Sequence, residues 1–160
     1  MDLDEFDRRL LVALQRDNRQ TGEELAAQVG LSPAACLRRT QRLREARVIE
    51  RDVAIVAAEY TERPLTVITQ VTLQRDRPDF LDTFRRRIIA APEVTQAYYV
   101  TGAADLVLVI AVADMERYES FTRREFGDPQ VKRFDTMVVM NQVKFEIATP
   151  LKAKLSDRKE

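Results

Sequence analysis

The sequence predicts an α+β chain in two parts: three helices, then a β-α-β-β-α-β unit. Two observations carry the prediction. Up to about residue 45, apolar residues recur at spacings of three and four, with helix-capping patterns between the stripes. Beyond about residue 65, short β-branched or wholly apolar runs alternate with two helical stripes.

The first helix is expected from about Asp4 to Arg16, with Asp4 as N-cap and Leu3, Phe6, Leu10 and Ala13/Leu14 as its apolar stripe. The second starts at Thr21, where Glu24 three residues on completes a capping box, and buries Leu25, Ala26 and Val29. Gly30 supplies the positive φ that ends helices. Ser32 caps the third helix and Pro33 takes its first position, so only Gly30 and Leu31 separate the two. Cys36, Thr40 and Leu43 fall on the inward face of that third helix, and Arg38, Arg39 and Arg42 on its other sides. Ala34 and Ala35 are small enough to let its N-terminal end approach base edges.

Two short helices joined by a tight turn, the second basic on one face, are the layout of a helix-turn-helix, whose second helix enters the DNA major groove. After Ala46 the pattern becomes alternating, and Ile49 to Ala57 is expected as a strand, the wing of a winged helix-turn-helix. The expected domain runs over 1–59, with a linker at 60–64.

The second domain is expected over 65–148. Thr66 to Gln74 is β-branched with period two, hence a strand. Pro78 opens a helix with the stripe Phe80/Leu81, Phe84 and Ile88, and Ala91-Pro92 stops it. Val94 to Thr101 is a strand, Gly102-Ala103-Ala104 a turn, and Asp105 to Ala113 a strand apolar on both faces and therefore central. Asp114 caps a helix with Met115, Tyr118, Phe121 and Phe126, and Gly127-Asp128-Pro129 breaks it. Val131 to Ile147 is expected as one long irregular strand, and 149–160 as a charged tail. The order β-α-β-β-α-β is the ferredoxin-like split pattern. Helices on one face of such a sheet leave the other bare, and a bare face carrying Val, Ile and Tyr predicts self-association. The neighbours Tyr98 and Tyr99 point to opposite faces, one expected in the helix-packed core and one at the bare face.

Composition narrows the function. The net formal charge of the 160 residues is zero, but between Pro33 and Arg51 six arginines (38, 39, 42, 44, 47, 51) face two glutamates, a local excess of four positive charges. That patch, rather than the total, is the electrostatic footprint of a nucleic-acid partner. The chain has no histidine, so the commonest general base and metal ligand is missing, and no acid pair or nucleophile–base arrangement stands out. No enzyme activity, metal site or cofactor is expected. One cysteine, Cys36, excludes an internal disulfide and fits a reducing cytoplasm. No run approaches the roughly 20 apolar residues that span a bilayer, and the acidic opening MDLDEFD is not a signal peptide.

Four segments in order carry a resemblance: LDEFDRRLL at the start, ELAAQVGLSPAACLRRTQRL, the turn VTGAAD, and TMVVMNQVK near the end. Together they resemble the Lrp/AsnC family, the leucine-responsive or feast/famine transcriptional regulators, over about Leu3 to Lys144. The resemblance implies an N-terminal winged helix-turn-helix and a C-terminal ferredoxin-like sensor domain that dimerises through its sheet. It implies further assembly, commonly to octamers, and an effector, usually an amino acid, bound between dimers. The effector site is implied at Val100, Thr101, Gly102, Ala103, Ala104 and Asp105, with Thr136 and Val138 as the opposing wall. The partners expected are therefore double-stranded DNA, an amino-acid effector and further copies of the chain, with no membrane.

Two departures from the family pattern matter. The family's usual Asp-Tyr pair after the turn glycine is here Ala103-Ala104, while Asp105 is kept. This keeps open an alternative, an effector-independent architectural DNA-binding protein. The usual glycine before the wing is Arg47; either the turn differs, or Arg47 is placed to touch a phosphate.

Within these sites, Ser32, Ala34, Ala35, Arg38, Arg39 and Arg42 are the candidate DNA contacts, with pairing of Arg42 to Glu45 as the competing role. Ser32 is a cap first. Gly102 serves the backbone of a tight turn whose N–H groups can hold a carboxylate. Asp105 either receives an effector's ammonium group or caps the turn.

Overall fold

The computed structural model describes residues 2–74 and 78–151. The expected charged tail 149–160 lies outside the described residues from 152 onward. The chain divides into two compact units, Met1–Ala54 with Lys144–Glu160, and Ile55–Val143.

The first unit holds α1 (Glu5–Arg16), α2 (Gly22–Val29) and α3 (Pro33–Glu45). Local chemistry sets all three starts. Asp4 and Asp7 form a reciprocal capping box on α1, Thr21 and Glu24 another on α2, and the Ser32 hydroxyl accepts from the Ala35 N–H on α3. Gly30 ends α2 at φ 80°, a conformation that glycine adopts without steric cost. Leu10, Leu25, Val29 and Cys36 fill the core between the helices, and Leu43 is buried beside Thr40 on α3. Burial pushes the Cys36 thiol pKa up, which keeps it protonated and unreactive. Residues 144–151 belong to this unit, and the Gln15 side-chain amide hydrogen-bonds the Thr149 backbone in both directions.

Residues 49–57 contain no strand, contrary to the expected wing. A single extended segment needs a neighbour to complete its hydrogen-bond ladder, and no described segment pairs with it. What anchors it is Asp52, whose carboxylate accepts from Asn18 Nδ2 at 2.8 Å and Arg44 Nε at 2.7 Å. Val53, Ile55 and Val56 stay exposed.

The second unit holds β1 (Leu65–Leu73), α4 (Pro78–Ala90), β2 (Val94–Tyr99), β3 (Leu106–Val112), α5 (Met115–Phe126) and β4 (Val131–Val138). The sheet is antiparallel in the order β2-β3-β1-β4, so β3 is central, as its two-sided apolar character predicts. Val67, Val71, Leu108 and Ile110 on one face meet Phe84, Ile88 and Phe121 of the helices. Within this core the Tyr118 hydroxyl bridges Thr69 Oγ1 at 2.9 Å and Thr136 Oγ1 at 2.6 Å.

β4 ends at Val138 instead of continuing to Ile147, because β1, its pairing partner, begins only at Leu65 and is already matched by Val67 opposite Val138. Tyr98 and Tyr99 do point to opposite faces, but both are exposed. β2 is an edge strand: Tyr99, on the helix side, has the Arg85 guanidinium 5.9 Å from its ring centre. The face opposite the helices carries Ile68, Tyr98, Val107, Val109 and Met137, of which Tyr98 and Met137 are exposed.

Candidate DNA-binding and effector sites

α3 carries the candidate DNA contacts, and its faces differ sharply. Cys36, Thr40 and Leu43 are buried as expected. Ala34 is exposed and Ala35 half-buried at the N-terminal end, beside the exposed cap Ser32. Arg38 is exposed and makes no ion pair or hydrogen bond among the described residues. Arg39 and Arg42 instead turn toward the start of α1. Arg39 Nη1 donates to Asp4 Oδ2 at 2.7 Å and to Asp7 Oδ1 at 2.9 Å, and its guanidinium lies 5.6 Å from the Phe6 ring centre. Arg42 Nη2 donates to both Asp7 oxygens at 2.7 Å. Arg42 therefore pairs with Asp7 and not with Glu45, which accepts from Gln41 Nε2 at 3.0 Å.

Asp7 is only 1% exposed, and its charge is compensated by two guanidinium groups and the Asp4 N–H. The Asp4 carboxyl is held below the usual carboxylate range, first by the Asp7 N–H and then, against the opposing effect of burial, by Arg39. The Asp4 and Asp7 carboxylates in turn raise the Arg39 pKa. The excess positive charge read along the sequence is thus partly neutralised in space. Arg39 and Arg42 face α1 carboxylates, and Arg44 faces Asp52.

Sequence reasoning missed Asp4 and Asp7 as partners of the arginines. In sequence Asp4 reads only as an N-cap, and only the crossing of α1 and α3 brings it and Asp7 against a helix more than 30 residues away.

α3 ends at a turn of retained geometry, so the expectation of a different turn at Arg47 does not hold. Arg47 sits at φ 54°, the left-handed region that glycine favours. The Arg47 N–H donates to Arg44 O at 3.0 Å and the Val48 N–H to Leu43 O at 2.9 Å, the paired bonds of a glycine-type helix end.

The second candidate site is the β2–β3 turn. The Val100 N–H donates to Asp105 O at 2.9 Å, and Gly102 has φ 120°. A Cβ at Gly102 would meet nothing within 4 Å, so the backbone angle, not crowding, calls for glycine there. Asp105 Oδ2 accepts from the Leu73 N–H at 2.8 Å, which ties the turn to the end of β1. Thr136 and Val138 lie on the other side of β1, opposite Thr69 and Val67, whereas Asp105 contacts β1 at Val71 and Leu73. Along β1 the offset runs from two residues (Thr69 to Val71) to six (Val67 to Leu73), about 7–20 Å. Within one chain β1 lies between the two implied walls of the effector site. Thr136 also spends its hydroxyl on Tyr118.

A three-helix unit with an exposed basic recognition helix, followed by a four-stranded sensor-type unit, defines a helix-turn-helix transcriptional regulator with a ligand-binding domain. Family models agree: an AsnC-type helix-turn-helix domain matches residues 3–44 and an Lrp/AsnC ligand binding domain matches 66–148. The chain belongs to the Lrp/AsnC family. It is 51% identical over 152 residues to the HTH-type transcriptional regulator y4tD of Sinorhizobium fredii, covering 94% of this chain and 90% of that one. It is 35% identical over 148 residues to the leucine-responsive regulatory protein of Escherichia coli, covering 89% and 88%. Among solved structures, an AsnC family transcriptional regulator from Agrobacterium tumefaciens matches with TM-score 0.84 and 29% identity over 92% of this chain and 97% of that one. A transcriptional regulator from Neisseria meningitidis in complex with L-methionine matches with TM-score 0.84 and 27% identity over 93% and 97%. These matches are to transcriptional regulators, not enzymes. No helix among the described residues is long and apolar enough to cross a membrane.

Proposed function

We propose that the protein regulates transcription by binding duplex DNA in a sequence-specific way through α3, under the control of an amino-acid effector. The observation that carries the DNA reading is Arg38, exposed and unpaired among the described residues on the side of α3 away from Cys36, Thr40 and Leu43. Ser32, Ala34 and Ala35 form the approach, and Arg42 contributes the part of its guanidinium that Asp7 leaves open. The effector lies against Val100 to Asp105, with Thr136 and Val138 of another copy as the second wall. Support comes from the offset of these segments within one chain and from the L-methionine bound to a structural relative. Homodimers form through the sheet face opposite the helices and assemble further, to octamers, in the cytoplasm.

A second reading is favoured by two particulars, the alanines at 103 and 104 and the engagement of Asp105 with Leu73. In it the protein is an effector-independent architectural DNA-binding protein.

The test is selection from a random-sequence duplex pool by the full-length chain, followed by calorimetric titration of the protein with each common amino acid. The expected result is a site of two half-sites about 10 bp apart, centre to centre, or a multiple of that. Affinity should fall with salt, and the Arg38→Ala, Arg42→Ala double variant should bind more weakly with a shallower salt dependence. Recovery of no preferred duplex overturns the DNA reading. Recovery with no calorimetric heat from any amino acid selects the architectural reading.

A further inference from the structure

We propose that Asp7 is a positioning residue of the DNA-binding surface, orienting the Arg42 guanidinium so that its free nitrogens meet a DNA phosphate. The proposal rests on the DNA-binding reading above. Arg39 and Arg42 share Asp7 but are held differently. Arg39 bridges Asp4 and Asp7, lies over Phe6 and has a side chain 24% exposed, so it works inside the helical unit. Arg42 uses Nη2 alone for both bonds to Asp7, and its side chain is 51% exposed. Its Nε and Nη1 have no hydrogen-bond partner among the described residues. A guanidinium is a rigid plane, so two bonds from one nitrogen to a fixed carboxylate set the direction of the remaining three N–H groups. Arg42 also follows exposed Arg38 by four residues, which puts both on one strip of α3.

A carboxylate is an odd choice for that place if stability alone mattered. A buried ion pair is weak evidence for stability, because an apolar residue of similar size avoids the desolvation of both charges. It is odder still beside a polyanion, unless its work is to aim a cation. The two roles predict opposite signs. By charge alone, Asp7→Asn removes a negative group near DNA and should tighten binding. If Asp7 orients Arg42, the same change should weaken it.

The experiment measures affinity against salt for the selected duplex with full-length wild type, Asp7→Asn, Arg42→Ala, Arg42→Lys and the Asp7→Asn, Arg42→Ala pair, with folding checked by circular dichroism. The expected result for Asp7→Asn is about tenfold weaker binding, with the slope of log affinity against log salt shallower by about 0.9, one phosphate contact. On the Arg42→Ala background, Asp7→Asn should cause no further loss. Arg42→Lys, which keeps the charge but not the fork, should fail to restore wild-type affinity. Tighter binding by Asp7→Asn overturns the proposal, as does an equal loss on both backgrounds, the mark of a merely structural residue. Should Asp7→Asn fail to fold, the Arg42 variants decide: an unchanged slope in Arg42→Ala, or full affinity in Arg42→Lys, overturns it. If the wild type selects no duplex, the DNA reading itself fails, a separate result.

Discussion

Arg47→Gly should make the helical unit more stable, although it deletes a large side chain. Arg47 holds φ 54° at the end of α3, with the Val48 N–H on Leu43 O at 2.9 Å and the Ile49 N–H on the same oxygen at 3.2 Å. A side chain in this left-handed conformation costs about 1–2 kcal/mol relative to glycine. Glycine's larger freedom in the unfolded chain returns about 0.5–1 kcal/mol of that. The side chain is exposed and in no recorded ion pair among the described residues, so little else is lost. The net expectation is a gain of about 0.5–1 kcal/mol, or about 2–8 °C in the melting of a unit of this size.

The chain supplies its own control. It has no tryptophan, and its four tyrosines, 60, 98, 99 and 118, all lie in the unit Ile55–Val143. Far-ultraviolet circular dichroism should therefore show an upward shift, while tyrosine fluorescence follows the second unit alone. Arg47→Ala, which keeps the strained angle, should move neither by much. A lower melting temperature for Arg47→Gly would refute the reasoning, since the side chain would then be contributing more than its backbone angle costs.

Two further outcomes follow from single contacts. The Asp4 pKa is lower in the folded chain than in the unfolded one, so its contribution is present above the unfolded value and is lost as pH falls through the folded one. Stability of the helical unit should fall as pH drops below about 4, and Asp4→Asn should flatten that fall; urea titrations across pH check it. Tyr118→Phe strips the shared hydroxyl from Thr69, which is buried, and from Thr136. The expected loss is about 1–2 kcal/mol by denaturant unfolding, and an unchanged stability would mean that the hydroxyl chain contributes nothing.

The pairing of Arg39, Arg42 and Arg44 with acids changes how the basic patch is to be understood. The excess of positive charge counted along residues 33–51 overstates what a phosphate backbone would meet, because Asp4 and Asp7 reach it from α1, outside that stretch. Salt dependence of DNA binding should accordingly reflect Arg38 and part of Arg42 more than the full count of arginines.

Apart from the expected wing strand and the far end of β4, the sequence by itself determined the elements and their order, because the forces that set them act over a few residues. Asp4, Thr21 and Ser32 cap helices whose N–H groups lie three positions away, and Gly30 ends a helix through its own φ angle. The alternation in β1 and the unbroken apolar run in β3 likewise announce one buried face and a central strand. The helix end at Arg47 was legible only as a departure from the family's usual glycine, with the geometry of the turn left open. Tertiary structure alone decided which groups meet across the chain. It turned Arg42 toward Asp7 rather than Glu45, left Ile49 to Ala57 without a partner strand among the described residues, and kept Tyr99 exposed on an edge strand. The reason is physical. A cap or a strand period is satisfied by the chain's own neighbours, whereas an ion pair or a sheet ladder needs a second element whose place depends on how all the helices and strands pack.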